Sequence, residues 1–273
     1  MADRDLNAIV TQKTEHAPGL MTIRTVPDGW TLPDFTPGQF TVLGLPRSAP
    51  RCPEADAEPA PAPGDGEKTI VRAYSIASSS VAREYLEFYI SLVRSGELTP
   101  RLFNLEIGDR LWLSPRFSGY FTLEEVPPEA NVVLIATGTG LAPYMSMVRT
   151  VLSPQEPRRF AVIHGAYHSW DLGYHSELVM LQRLARMFSY FPVISEPAEE
   201  PVPWKGRTGF VQALWEEGVI EKQWGLRPAP EHTHVFLCGH PLMIESMLQI
   251  LEREGFTEHT RRTPGQIHLE KYW

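Results

Sequence analysis

The chain has 273 residues, 42% of them hydrophobic and 21% charged, with a formal net charge of −8. That is the composition of a soluble globular protein, long enough for two domains with separate cores. It excludes several classes: no apolar run reaches the roughly 18 residues of a membrane span, and the acidic balance gives no support for nucleic-acid binding.

The two cysteines, Cys52 and Cys238, lack the spacing of an iron–sulfur cluster, a zinc site or a disulfide framework, so no metal is expected. The opening residues, MADRDLNAIV, carry no basic-then-apolar leader, which gives the expectation of a cytoplasmic protein.

From about residue 8 to residue 123 the chain reads as short strands between turns. Residues 21–26 alternate, 39–43 follow the Pro37-Gly38 turn, and 86–93 form an aromatic and β-branched run. Closely spaced short strands predict a small antiparallel barrel. Residues 46–67, rich in Pro, Ala, Gly and Glu, cannot bury much apolar surface and are expected to form a mobile inserted loop.

The extended segment Arg72-Ala73-Tyr74-Ser75 follows, and its period of two puts Arg72 and Tyr74 on one face and Ser75 on the other. After the 86–93 strand, Thr99 is expected to cap a short helix with Pro100 at its first position, and a helix start there offers an anion site. Residues 107–113 read as another strand, and 119–123 close the region.

Residues 131–136 are a short β-branched run that fits a buried parallel strand. The turn Thr137-Gly138-Thr139-Gly140 leads to Pro143 and then to apolar residues at helical spacing, Met145, Val148 and Leu152. Two readings of this turn stand: backbone N–H groups approaching a phosphate, or an ordinary tight strand-to-helix loop. Strands over 159–164, 188–194 and 234–238 then alternate with helices over 174–187, 210–217 and 241–254. In the first of these helices Leu178, Leu181 and Leu184 share a side.

Such alternation predicts a parallel sheet with helices on both faces and ligands beyond its carboxyl strand ends. The segments there are 137–140, 164–166, Ser195-Glu196 and Cys238-Gly239.

Six segments in order, Arg72–Ser75, Leu86-Glu87-Phe88-Tyr89, 96–101, 136–143, 236–241 and the terminal Glu270-Lys271-Tyr272-Trp273, give the chain a resemblance to the bacterial branch of the ferredoxin–NADP reductase family. The resemblance implies an antiparallel β-barrel FAD domain (1–125) followed by an α/β parallel-sheet, Rossmann-like NADP domain (126–273). It implies an enzyme moving electrons between NADP(H) and ferredoxin or flavodoxin, with hydride exchange at flavin N5, and a monomer.

On the FAD side it implies Arg72 on the diphosphate, Tyr74 flat on the flavin, Ser75 near N5, and Ala73 beside them. Tyr89, Ile90 and Ser91 would lie on the adenylate side, Glu97, Leu98 and Thr99 at the phosphates, and Thr139 would reach the flavin. The tail residues Tyr272 and Trp273 would cover the flavin face. On the NADP side it implies Gly138, Gly140, Pro143, Ser195, Glu196, Arg207, Gly239 and Pro241, with Tyr167 or His168 stacking on adenine. Ser75, Cys238 and Trp273 would act closest to the transfer.

An acidic carrier calls for a basic rim, with Arg83, Arg101, Arg116, Arg261 and Arg262 as candidates. One departure stands out. Glu196 occupies a place where many bacterial members carry arginine, and an acid there suits a free ribose diol, whereas Lys205 and Arg207 suit a 2′-phosphate. NADP is the favoured coenzyme. The alternatives are an NADH-dependent flavin or oxygenase-component reductase of the same fold and, in another class, a non-catalytic nucleotide sensor.

Overall fold

A computed structural model describes residues 5–58, 68–153 and 156–271. The chain divides into two compact units, one running to Thr122 and including Met145–Thr150, the other comprising Leu123–Tyr144 and the chain from Val151 onward.

The first unit is built on six strands, β1 (Ala8–Ala17), β2 (Leu20–Pro27), β3 (Phe40–Pro46), β4 (Thr69–Ser75), β5 (Leu86–Ser91) and β6 (Arg110–Leu113), with one short helix, α1 (Thr99–Phe103). Their order is β4-β3-β6-β1-β2-β5, and every pairing is antiparallel. The two ends of the order meet just beyond β4, where Ala77 N–H donates to Glu87 O at 2.8 Å, so the sheet closes on itself.

Apolar residues at alternate positions, among them Val10, Ile23, Leu43, Phe88 and Leu111, fill the interior. Glu87 is also buried, and Arg24 answers its charge with an Nε–Oε2 contact of 2.7 Å, as a carboxylate removed from water requires. Residues 119–123, read from sequence as closing this region, form no strand beyond the bridge of Ser118 to Phe40.

The second unit contains β7 (Asn131–Thr137), β8 (Phe160–Ala166), α3 (His175–Leu184), β9 (Phe188–Ile194), β10 (Arg207–Thr208), α4 (Val211–Glu216), α5 (Val219–Trp224), β11 (Thr233–Cys238), α6 (Pro241–Arg253) and β12 (Ile267–Glu270); between β7 and β8 the chain forms α2 (Ala142–Val151), of which Met145–Thr150 belong to the first unit. The six strands pair in the order β10-β9-β8-β7-β11-β12, all parallel. Strands β7 and β8 are buried at every position but the last. That is the signature of a parallel sheet covered on both faces.

Helix α3 ends at Leu184 rather than continuing to 187, and Leu184 is 72% exposed. Its apolar stripe therefore stops short of the position that spacing alone assigned to it.

Three histidines pack along β11 and β12. His234 Nδ1 lies 2.9 Å from His268 Nε2, and His268 stacks on Phe236 and on His259. Burial holds the His268 imidazole down at about 3 and pushes His234 in the same direction. At neutral pH both rings are uncharged, so they pack as aromatic rings.

Candidate active site

In the first unit the residues singled out from sequence gather around β4, β5 and the 93–101 turn. Arg72, with its side chain 56% exposed, donates from Nη2 to Glu97 Oε2 at 2.8 Å, and Arg47 Nη2 donates to the other oxygen of the same carboxylate at 2.7 Å. Ala73 is exposed beside it. Tyr74 is half-buried, edge-on to Phe88 with ring centroids 6.5 Å apart, and burial pushes its phenol well above the usual range. Ser75 is buried.

Of the 89–91 trio, Tyr89 and Ile90 are buried and only Ser91 is exposed. Leu98 is buried in the core and serves as the backbone N-cap of α1. Thr99 therefore does not cap this helix: its hydroxyl accepts from Val93 N–H at 3.0 Å and donates to Val93 O at 3.2 Å. The expected helix-terminal anion site is corrected too. Helix α1 is five residues long, little more than one turn, so few aligned peptide dipoles stand behind its end.

Side chains carry the positive charge here instead. The guanidinium groups of Arg47, Arg51, Arg72 and Arg101 face the carboxylates of Glu58 and Glu97, and among the described residues four against two leaves a formal excess of two positive charges. That excess and Arg's planar fork fit a dinucleotide diphosphate, which carries two negative charges.

Arg101, named from sequence as part of a basic surface rim, is 3% exposed and bonded to Glu58 at 2.7 Å, so it leaves that rim. Arg83 is exposed but pairs with Asp34 at 3.0 Å, while Arg116, Arg261 and Arg262 are exposed.

In the second unit the strand order reverses direction at β7. The chain steps from β7 to β8, β9 and β10 on one side, then crosses to β11 and β12 on the other. A crevice at the carboxyl ends of β7 and β11 follows from that reversal, and there two turns interlock. A Cβ on Gly140 would sit 2.3 Å from Cys238 O, and one on Gly239, at φ +136°, would sit 2.3 Å from Thr137 Oγ1. Only glycine permits so close a backbone approach.

Thr137 Oγ1 accepts from His240 N–H at 2.8 Å, and His240 Nδ1 accepts from Leu242 N–H, which makes His240 the cap of α6 ahead of Pro241. Gly138, at φ +54°, has open space where a Cβ would be, and Thr139 is partly exposed. Pro143 is buried beneath the turn, and the Cys238 side chain has no exposed surface. His164 is fully buried within hydrogen-bonding distance of Tyr190, so it belongs to the core rather than to the rim of the crevice.

Further along the rim, Tyr167 is 63% exposed. His168 is engaged on both ring nitrogens, by Asp171 at 2.8 Å and Glu199 at 2.9 Å, and stacks on Trp170 at 4.5 Å. Its hydrogen bond to Glu199, then the one to Asp171, raises its basicity against the opposing effect of burial. Of the two candidates for an adenine platform, Tyr167 is the one left open.

Ser195 N–H donates to Ala166 O and Glu196 N–H to Tyr167 O, which fixes the chain at the end of β9 while the Glu196 side chain stays exposed. Arg207, also exposed, lies on β10 opposite Val193. Sequence reasoning missed a depression of about 730 Å³ lined by Trp170, His175, Pro192, Trp204 and Lys205 among others. The aromatic residues were readable, but their convergence from separate loops was not. Tyr272 and Trp273 lie outside the described residues.

Comparison with known proteins agrees with this layout. The family model of the oxidoreductase NAD-binding domain matches residues 134–249. The chain is 34% identical over 240 residues to the flavodoxin/ferredoxin–NADP reductase of Escherichia coli (88% of either chain), and 31% identical over 242 residues to that of Buchnera aphidicola (again 88% of either).

Among solved structures, a ferredoxin–NADP+ reductase from Neisseria gonorrhoeae with bound FAD and NADP superimposes with a TM-score of 0.79 at 25% identity, covering 98% of both chains. A cytochrome P450 reductase from Amycolatopsis gives 0.72 at 28% identity, covering 98% of this chain and 70% of that one. On this similarity the chain belongs to the flavodoxin/ferredoxin–NADP reductase family.

Proposed function

We propose that the chain is an FAD enzyme moving electrons between NADP(H) and a one-electron carrier, flavodoxin or ferredoxin. The observation that carries the reading is the reversal of strand order at β7/β11, where Gly140 and Gly239 admit no side chain, in a chain of this family. Bound FAD supplies the conversion between two-electron nicotinamide chemistry and one-electron carrier chemistry.

The chain's share is placement. Arg72, steadied by Glu97, holds diphosphate oxygens, and Leu98 and Thr99 frame the same turn. Tyr74 offers its ring to the flavin, a stacking contact worth about 1 kcal/mol beyond area burial. Ser75 donates a hydrogen bond at the reacting edge. The Gly138–Gly140 turn receives the coenzyme's phosphates, Gly239 and Pro241 line the other wall, and Cys238 positions them from the core.

A second reading rests on Glu196. Its exposed carboxylate at the ribose end of the crevice suits a coenzyme without a 2′-phosphate, as in a reductase feeding an oxygenase. Purified FAD-loaded protein, given NADPH and either a ferredoxin or a flavodoxin, tests the main reading. Continuous reduction of one carrier is expected. Coenzyme oxidation that reduces neither carrier would contradict the carrier assignment.

A further inference from the structure

The first part of the Pro-rich stretch is fastened to the barrel, although its composition predicts a mobile loop; residues 59–67 of that stretch lie outside the described residues. Little apolar burial holds residues 47–58, with Cys52 the main exception, packed in the barrel core. Polar contacts do the rest, and apart from Arg47 N–H, which donates to Lys68 O, most of those that leave the segment reach one place, the 93–101 turn that runs from β5 into α1.

Arg51 donates from Nη1 to Gly96 O at 3.2 Å and from Nη2 to Arg94 O at 2.9 Å and to Asp56 O at 3.1 Å. Asp56 N–H donates to Arg94 O, and Cys52 N–H to Pro100 O. From the turn's side, Arg101 donates to Glu97 O, to Arg47 O through Nε and Nη2, and to Glu58 Oε2 at 2.7 Å. Glu58 also faces Arg51 at 3.2 Å, and the surrounding guanidinium groups, Arg101 first, hold its carboxyl below the usual range.

The carbonyls of Arg94, Gly96 and Pro100 thus find their partners in the 47–58 segment rather than within the turn. The same turn presents Glu97, whose carboxylate bridges Arg47 to Arg72.

We infer that residues 47–58 form a brace that holds the 93–101 turn and, through Arg47 and Glu97, keeps Arg72 placed to receive the diphosphate of the flavin nucleotide, with Arg51 as its fastening point. Arg51 is a positioning residue: its donors are spent on carbonyls of the brace and the turn and on Glu58, and it acts on the cofactor through them. This rests on the FAD reading above. Without the brace the turn's carbonyls fall to water, and a segment secured mainly by such bonds opens locally long before the barrel does.

The test uses the FAD-loaded full chain and its Arg51→Ala, Arg51→Lys and Glu58→Gln variants. Two quantities are read: hydrogen–deuterium exchange of amides 93–101, with the parallel-sheet amides as control, and the rate of FAD release on dilution, followed by flavin fluorescence. In Arg51→Ala, exchange in the turn and FAD release are both expected to rise about tenfold, the scale of one lost charge-assisted contact. Control amides should not change, Arg51→Lys should lie between, and Glu58→Gln, the milder variant in case Arg51→Ala does not fold, should shift both in the same direction.

Unchanged exchange in the turn would overturn the brace. Faster exchange with unchanged release would overturn its link to the cofactor. A wild-type chain that binds no FAD would remove the cofactor role together with the functional reading, while the exchange comparison would still decide whether the brace exists.

Discussion

Arg72→Ala is expected to weaken FAD binding by about 100-fold, the loss of a bidentate charge-assisted contact worth roughly 2–3 kcal/mol. The side chain is exposed, and besides the Val71 carbonyl it is bonded to Glu97, which keeps Arg47 at 2.7 Å when Arg72 is gone, so no buried charge is stranded by the change. The loss should therefore appear in cofactor affinity and hardly in thermal stability of the flavin-free chain. Arg72→Lys keeps the charge but not the planar fork and should fall between. Titrating flavin fluorescence against each variant checks this, and an Arg72→Ala affinity within twofold of wild type would take Arg72 out of the phosphate site.

The second large effect concerns the coenzyme. Glu196 and Arg207 stand exposed at the ends of adjacent strands, and their opposite charges pull opposite ways on a 2′-phosphate. Glu196→Arg should raise the ratio of kcat/KM for NADPH over NADH by at least about tenfold, since reversing a charge near a dianion at the surface is worth about 1–2 kcal/mol. Arg207→Ala should lower the same ratio by a similar factor. Both changes should shrink as salt is added, because the groups are open to solvent. If steady-state kinetics show a ratio that neither substitution moves, the ribose end of the coenzyme lies elsewhere.

Much of the architecture was legible because it follows from periodicity. The continuous apolar runs of β7 and β8 dictate burial on both faces. The glycines at 138 and 140 marked the crevice, although the reason for Gly140, the approach of the Cys238 carbonyl, lies nearly 100 residues away in sequence. Strands β10 and β12, of two and four residues, were too short to show a pattern.

Long-range charge pairing left no local signal. Arg101 reads as a surface residue until Glu58 is placed on it, and His168 reads as a free ring until Asp171 and Glu199 take both nitrogens. Composition was a poor guide to residues 47–58, because one arginine reaching several carbonyls can secure a segment that has little to bury.

The most direct test of the account is anaerobic stopped-flow absorbance of the FAD-loaded protein mixed with NADPH. Rapid bleaching of the flavin band is the predicted result, since nicotinamide and flavin meet in one working enzyme. A protein that binds FAD but whose flavin band stays oxidised with NADPH and with NADH alike would contradict it.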